Sequence, residues 1–161
     1  MKLIELDAID LRLLASLQED ARQTNQDLAE RVHVSPPTCL RRIKRLRDAG
    51  LIEREIAVLN ADALAQMLGH GLLALVEISL DRQGAEFLDA FESRLATDDA
   101  VQQCYRVSPG PDFILQVQVA SMAGYLALAQ RLFTADANVR NVKAFFSVKR
   151  SKFQPKVLFS H

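Results

Sequence analysis

The sequence predicts an α+β fold in two parts: a helical N-terminal region and a C-terminal unit with the element order βαββαβ. Two patterns indicate this fold. Apolar residues recur at helical spacing in three short segments before residue 50, and an alternating apolar pattern begins at residue 71. The chain has 161 residues, of which 49% are hydrophobic and 25% are charged, so it is large enough to form two small domains.

The first two helices are predicted from capping residues and apolar stripes. Asp7 is a good N-cap for the first helix. Thr24 and Asp27 resemble the capping box that begins the second helix. The residues predicted to face the core are Leu6, Ile9, Leu13, Leu14 and Leu17 in the first helix and Leu28, Ala29 and Val32 in the second.

A third helix is predicted to begin after Ser35 and to run to about Asp48, with Gly50 as its stop. Its first turn contains two prolines, which have no backbone N–H groups. We therefore expect the Ser35 hydroxyl to cap the N–H of Thr38.

The third helix separates an apolar face from a basic one. Cys39, Ile43 and Leu46 point to one side, and a short turn at residues 33–34 joins the second and third helices, as in a helix-turn-helix. The opposite face has short side chains near the helix N-terminus and cations beyond them, which is typical of a helix that contacts duplex DNA. The predicted DNA-binding residues are Ser35, Pro37, Thr38, Arg41, Arg42, Lys44 and Arg45. The alternative is a structural helix with a solvated basic face.

Residues 6–52 resemble the N-terminal domain of the Lrp/AsnC (leucine-responsive, feast/famine) family of transcriptional regulators. The resemblance is carried by LDAID at the start, LAERVHVSPPTCLRRIKRL and the exit AGLI. It continues in GLLALVEISL, CYRVSPGPDFILQVQV and SMAGYLALAQRL, so it covers nearly the whole chain. His33 departs from the family, which usually has Gly in this turn. We expect a slightly altered turn that is still formed, because His tolerates the left-handed conformation better than most residues.

The second half predicts a ferredoxin-like βαββαβ unit. Leu51-Ile52 and residues 56–59 are interpreted as a strand or wing that closes the first domain, so the boundaries are 1–59 for a winged helix-turn-helix domain, 60–70 for a linker and 71–161 for the second domain. The predicted elements of the second domain are strands 71–80, 101–108, 113–120 and 142–149 and helices 84–96 and 122–135.

The sheet of the second domain has apolar residues on both faces. Leu73, Leu75, Ile114 and Phe145 lie opposite the rows that the helices are expected to cover. Such a patch is usually buried by a partner, and a second copy is the simplest one. The resemblance implies homodimers formed through this domain, further assembly to octamers and binding to palindromic sites in double-stranded DNA. An ordinary monomer with a few exposed apolar residues is the alternative.

The resemblance also implies a small-molecule effector, usually an amino acid, at an interface between dimers and beside the loop that follows the family's third strand. The candidate effector-binding residues are Ser108, Pro109, Gly110, Asp112 and Phe113. The family commonly has Gly-Asp-x-Asp-Tyr here, whereas this chain has two prolines, which remove two N–H donors for a carboxylate. A tight hairpin turn without a ligand is the alternative.

Other classes of function find little support. His33, His70, His161 and Cys39 have no metal-site spacing, no cofactor motif is present, and no nucleophile lies beside a base. An enzyme of ferredoxin-like fold and an effector-independent protein that wraps DNA are the rivals to a regulator. The sequence has no apolar run long enough to span a membrane, and its two cysteines suit a reducing cytoplasm. The basic residues Lys149, Arg150, Lys152 and Lys156 could assist DNA binding or form a solvated terminus.

Overall fold

The computed structural model describes residues 4–69 and 71–159. The contacts divide the chain into two units. The helical unit consists of residues 4–58 together with residues 153–159, and the sheet unit consists of the described residues between 59 and 152. The α+β class and the two-part organisation predicted from the sequence are confirmed.

Three helices form the helical unit: α1 (Ala8–Glu19), α2 (Asn25–Val32) and α3 (Pro36–Asp48). Both α1 and α2 begin with a capping box, formed by Asp7 with Asp10 and by Thr24 with Asp27. The box at Asp10 was not foreseen. The core of this unit contains the predicted apolar faces: Leu13, Leu14, Leu28, Ala29, Val32, Cys39, Ile43 and Leu46.

The turn between α2 and α3 depends on a left-handed residue. His33 has φ 59° and ψ 53°. Its N–H donates to the Glu30 carbonyl (3.2 Å), and the Val34 N–H donates to the Ala29 carbonyl (2.9 Å). These two hydrogen bonds are the Schellman arrangement that ordinarily uses glycine. The turn is therefore formed in spite of the imidazole side chain.

The expected Ser35 cap and the expected strand after α3 are not formed in the described part of the chain. Ser35 occupies the N-cap position of α3 but makes no side-chain cap, and its hydroxyl donates to the Thr38 hydroxyl (2.9 Å). Residues 51–59 form no strand, since no neighbouring strand among the described residues supplies a hydrogen-bonding partner. Ile56, Val58 and Leu59 are consequently exposed.

The elements of the sheet unit are α4 (Ala61–Leu68), β1 (Leu72–Leu80), α5 (Ala85–Leu95), β2 (Val101–Arg106), β3 (Phe113–Val119), α6 (Met122–Ala129) with a π-helical turn (Gln130–Thr134), and β4 (Val139–Phe146). The strands form a four-stranded antiparallel sheet with the order β2-β3-β1-β4, which is the ferredoxin-like order. Both α5 and α6 pack on one face, against Ala74, Val76, Ile78 and Leu80 of β1.

Strand β4 begins and ends three residues earlier than predicted, because its length follows the ladder with β1, from Leu80 opposite Val139 to Ala74 opposite Phe146. Val148, which falls within the predicted strand 142–149, lies beyond the ladder and is fully exposed.

Two of the predicted boundaries also differ from the structure. Most of the predicted linker 60–70 is helix α4, which begins because the Asn60 side chain caps the N–H of Ala63 and ends at Gly69, with φ 68°. His70 lies outside the described residues. Residues 153–159 were assigned to the second domain, yet they contact the helical unit, where Phe159 packs on the core.

Candidate nucleic-acid interface and effector loop

The outer face of α3 contains an exposed arginine, Arg41. Within residues 4–69 and 71–159, Arg41 makes no ion pair, and its side chain lies at the surface. Thr38 is partly buried one turn before it, and Pro37 and Lys44 are exposed on either side. Of the predicted DNA-facing residues, Pro37, Arg41 and Lys44 are therefore accessible on the outer face of α3, although their contact with DNA stays a prediction.

Two other arginines of this helix are held by α1. Asp10 is fully buried, and its carboxylate accepts hydrogen bonds from Arg42 Nη1 (2.9 Å) and from Arg45 Nη2 (2.5 Å). Arg42 Nη1 also donates to Asp7 Oδ2 (2.8 Å). Because two arginines of α3 meet one carboxylate of α1, these ion pairs fix the orientation of α3 against α1.

This structural role of Arg42 and Arg45 was not foreseen from the sequence. The signal was present, since Asp10 is an acidic residue next to Ile9 in the apolar stripe of α1. A buried carboxylate is rare unless it is paired. The side chain of Arg45 is 43% exposed and that of Arg42 is 21% exposed. Arg45 thus keeps a surface that a ligand can reach, whereas Arg42 is mostly enclosed.

Asp7 connects helix capping to this network. Its pKa is lowered from 3.8 to about 2, first by the backbone N–H of Asp10 and then by the Arg42 guanidinium, both of which stabilise the charged form. The same carboxylates raise the pKa of Arg42. Asp7 and Arg42 are therefore both charged at neutral pH.

A second contact holds the beginning of α3. Asn25, the first residue of α2, donates from Nδ2 to the carbonyl of Pro36 (2.9 Å). At the same turn, the diverted Ser35 hydroxyl leaves the Thr38 backbone N–H without an acceptor among the described residues. A free N–H group at a helix N-terminus is suited to an anionic oxygen.

The predicted effector loop joins β2 and β3. The Asp112 carboxylate accepts hydrogen bonds from the Leu80 N–H (2.6 Å) and from Gln83 Nε2 (3.3 Å). The Asp112 backbone also bonds to Ile78 and Val107, so this residue connects the loop to the end of β1. Within the described part of the chain, the backbone N–H groups of Ser108 and Gly110 have no acceptor.

Phe113 differs from its predicted role. Its side chain is fully buried, with its ring centroid 5.2 Å from that of Phe91. The first residue of β3 therefore contributes its ring to the core of the sheet unit and does not expose it beside the loop. Pro109 follows a cis peptide bond, and Gly110 has φ 126° with open space where a Cβ would lie.

The face of the sheet opposite the helices is partly apolar, as expected. Leu75 and Phe145 are cross-strand neighbours and are 46% and 54% exposed. Tyr105, which lies opposite Ile114, is 54% exposed. We call Leu73, Leu75, Tyr105, Ile114 and Phe145 the open face.

Residues 4–69 and 71–159 contain no group of three metal-ligating side chains. His161 lies outside this part of the chain. No helix that the structure describes is long and apolar enough to cross a membrane. Burial raises the pKa values of the Cys39 and Cys104 thiols.

Comparison with known proteins agrees with this organisation. Residues 6–53 match the family described as winged helix-turn-helix DNA-binding, and residues 73–157 match the Lrp/AsnC ligand binding domain. The fold and the basic helix thus define a DNA-binding transcriptional regulator with a separate ligand-binding domain. The chain belongs to the Lrp/AsnC family of transcriptional regulators.

Several relatives match this chain over nearly the full length of both proteins. A leucine-responsive regulatory protein of Rhizobium meliloti (strain 1021) is 39% identical over 149 residues, which are 92% of this chain and 93% of the relative. The crystal structure of an AsnC family transcriptional regulator from Agrobacterium tumefaciens has a TM-score of 0.82, with 27% identity over 95% of this chain and 97% of that one. A transcriptional regulator from Neisseria meningitidis, solved as a complex with L-Met, has a TM-score of 0.82, with 28% identity over 96% and 97% of the chains.

We predict that Asp10→Asn lowers the free energy of unfolding of the helical unit by about 2–4 kcal/mol, because it removes the buried charge that pairs with both arginines. Urea unfolding followed by circular dichroism measures this effect. Asp62→Asn is the matched control, since Asp62 is exposed in α4, and it should change stability by less than about 0.5 kcal/mol. Equal effects of the two substitutions would contradict the role given to Asp10.

The lowered pKa of Asp7 predicts a pH dependence with a definite sign. Because the pKa is depressed in the folded state, the ionised carboxylate stabilises the protein above about pH 4, and this contribution is lost as the pH falls through about 2. We expect the difference in urea midpoint between wild type and Asp7→Asn to be constant from about pH 7 to 5 and to vanish near pH 2. A difference that persists unchanged at the acid end would show that the ionisation of Asp7 is not its source.

Proposed function

We propose that the outer face of α3 binds the major groove of double-stranded DNA with sequence preference, and that an amino acid or a related metabolite bound to the sheet unit regulates this binding. The proposal of DNA binding rests on one observation. Arg41 is exposed and has no ion pair among the described residues, while the two arginines beside it are held by Asp10. A bidentate guanidinium on a fixed helix is suited to a guanine edge.

The structure supports a division of labour within the predicted site. Arg41, Thr38, Pro37 and Ser35 are accessible near the beginning of the helix and are proposed to approach base edges. Lys44 is proposed to contact phosphate. We propose that Arg42 acts mainly by orienting the helix. The half-exposed Arg45 is proposed both to orient the helix and to contact DNA.

A homodimer formed through the open face would present two copies of α3 to a palindromic site. Leu75, Tyr105 and Phe145 are all exposed on this face, and burial of such a patch favours association. The two half-sites would then lie about 34–36 Å apart along the duplex, one helical turn from centre to centre. Octamers, as the family resemblance implies, would extend the same assembly, which would act on DNA in the cytoplasm.

The loop at residues 108–112 is the proposed effector site. The free N–H groups of Ser108 and Gly110 could donate to a carboxylate. Asp112 already accepts two hydrogen bonds from the chain, so we propose that it shapes the loop and has less capacity left for an ammonium group. The relative from Neisseria meningitidis was solved with L-Met, which supports an amino acid as the class of ligand.

We predict that Arg41→Ala weakens binding to the preferred duplex by about 1–3 kcal/mol and relaxes base discrimination at one position of each half-site. The preferred duplex is first selected from a random-sequence library, and affinities for it and for a scrambled duplex are then measured by fluorescence anisotropy at fixed salt. Arg140→Ala is the control, because Arg140 is an exposed cation of the sheet unit. The assignment of Arg41 fails if its variant discriminates as the wild type does.

We expect at least one of the twenty L-amino acids to raise the unfolding temperature. A ligand at a hundred times its Kd stabilises by about 2.7 kcal/mol, which corresponds to about 5 °C or more. Gly110→Ala should reduce the shift because φ 126° disfavours a side chain, whereas Gly124→Ala places a Cβ at ordinary contact distance and should preserve the shift. If no amino acid shifts the wild type, the effector-independent DNA-wrapping alternative is favoured.

A further inference from the structure

Residues 153–159 contact the helical unit through an unusual pair of hydrogen bonds. The Val157 N–H donates to Gln18 Oε1 (2.6 Å), and Gln18 Nε2 donates to the Val157 carbonyl (3.2 Å). One side-chain amide of α1 thus satisfies both backbone groups of one residue. An extended segment receives the same pairing from a neighbouring strand.

The same segment lies over an apolar cleft of the helical unit. The cleft has a volume of about 460 Å³, and Pro155, Val157 and Phe159 line one side of it. These positions alternate along the chain, and Leu158 between the last two is 91% exposed. The opposite side is formed by α1 and the segment after α3, including Leu6, Leu14, Leu17, Ala21, Ile52 and Ile56.

We infer that residues 153–159 are a strap that belongs to the DNA-binding unit and holds α1 in place. The sheet unit, which contains the ligand-binding domain, is then joined to the helical unit at two points along the chain, near residue 59 and near residue 152. This extends the DNA-binding role proposed above, on which its functional consequence rests.

The strap has a route to the recognition helix. It is seated on α1 at Gln18, and the same helix holds α3 through Asp10, which pairs with Arg42 and Arg45. Only a short segment, residues 147–152, separates the end of β4 from the strap. A displacement of residues 147–152 would therefore move the strap and α1. Through the buried carboxylate of Asp10, it would also change the angle of α3.

The test uses the full chain and hydrogen exchange read by mass spectrometry. Phe159→Ser and Gln18→Ala should each accelerate exchange of the amides in α1 and residues 51–56 by about tenfold, with no change in β1. Leu158→Ser is the matched control, because this neighbouring apolar residue points to solvent, and it should leave all three regions unchanged. Exchange in α1 that is the same in all variants would overturn the strap.

A DNA-binding measurement separates the strap from the function on which it rests. The affinity of Phe159→Ser for the selected duplex should fall at least fivefold, whereas that of Leu158→Ser should match wild type. If wild type binds no duplex but exchange responds as expected, the proposed function fails and the strap stands. If wild type binds and the two variants at 158 and 159 bind equally, the strap has no part in DNA binding and the inference is overturned.

A cysteine pair identifies which copy supplies the strap. Gln18→Cys combined with Val157→Cys, treated with a short bifunctional maleimide, should yield a cross-linked single chain, because the two residues bond within one chain. A covalent dimer as the main product would show that a second copy occupies the cleft and would overturn the strap as an element within one chain.

Discussion

The buried carboxylate of Asp10 is the contact on which the geometry of the helical unit depends. Short helices have little stability of their own and take their positions from tertiary contacts. Here the fully buried carboxylate of Asp10 on α1 accepts hydrogen bonds from Arg42 and Arg45 of α3. Arg42 also donates to Asp7, which is the N-cap residue of α1. The result is a basic helix in which some cations are committed to structure, and Arg41 remains available to a partner.

In the sheet unit, hydrogen bonds to the backbone hold the loop between β2 and β3 in place. Asp112 closes the loop between β2 and β3 by bonding to the end of β1, and the N–H groups of Ser108 and Gly110 have no acceptor among residues 4–69 and 71–159. A loop that is fixed by some hydrogen bonds and still has N–H donors without acceptors can bind a polar ligand with little rearrangement. Helices α5 and α6 pack on one side of the sheet, and Leu75 and Phe145 are exposed on the other.

The fold was predictable because its signals are local. Capping residues, two-residue periodicity and the turn at His33 each act within a few residues, and they placed most helix and strand ends within three positions. The errors came from contacts between distant residues. Nothing near Arg42 or Arg45 indicates that Asp10, more than thirty positions away, binds both. Likewise, the packing of Phe159 on the helical core depends on a contact that spacing alone does not reveal.

The π-helical turn at Gln130–Thr134 makes the packing after α6 sensitive to insertions and deletions. A turn of this kind contains one residue more than an α-helical turn, and here it directs both Leu132 and Phe133 into the core. Removal of one residue would restore regular spacing and rotate one of the two side chains toward water. Side chains of similar volume would keep this packing, whereas an insertion or a deletion in this stretch would change which side chains face the core.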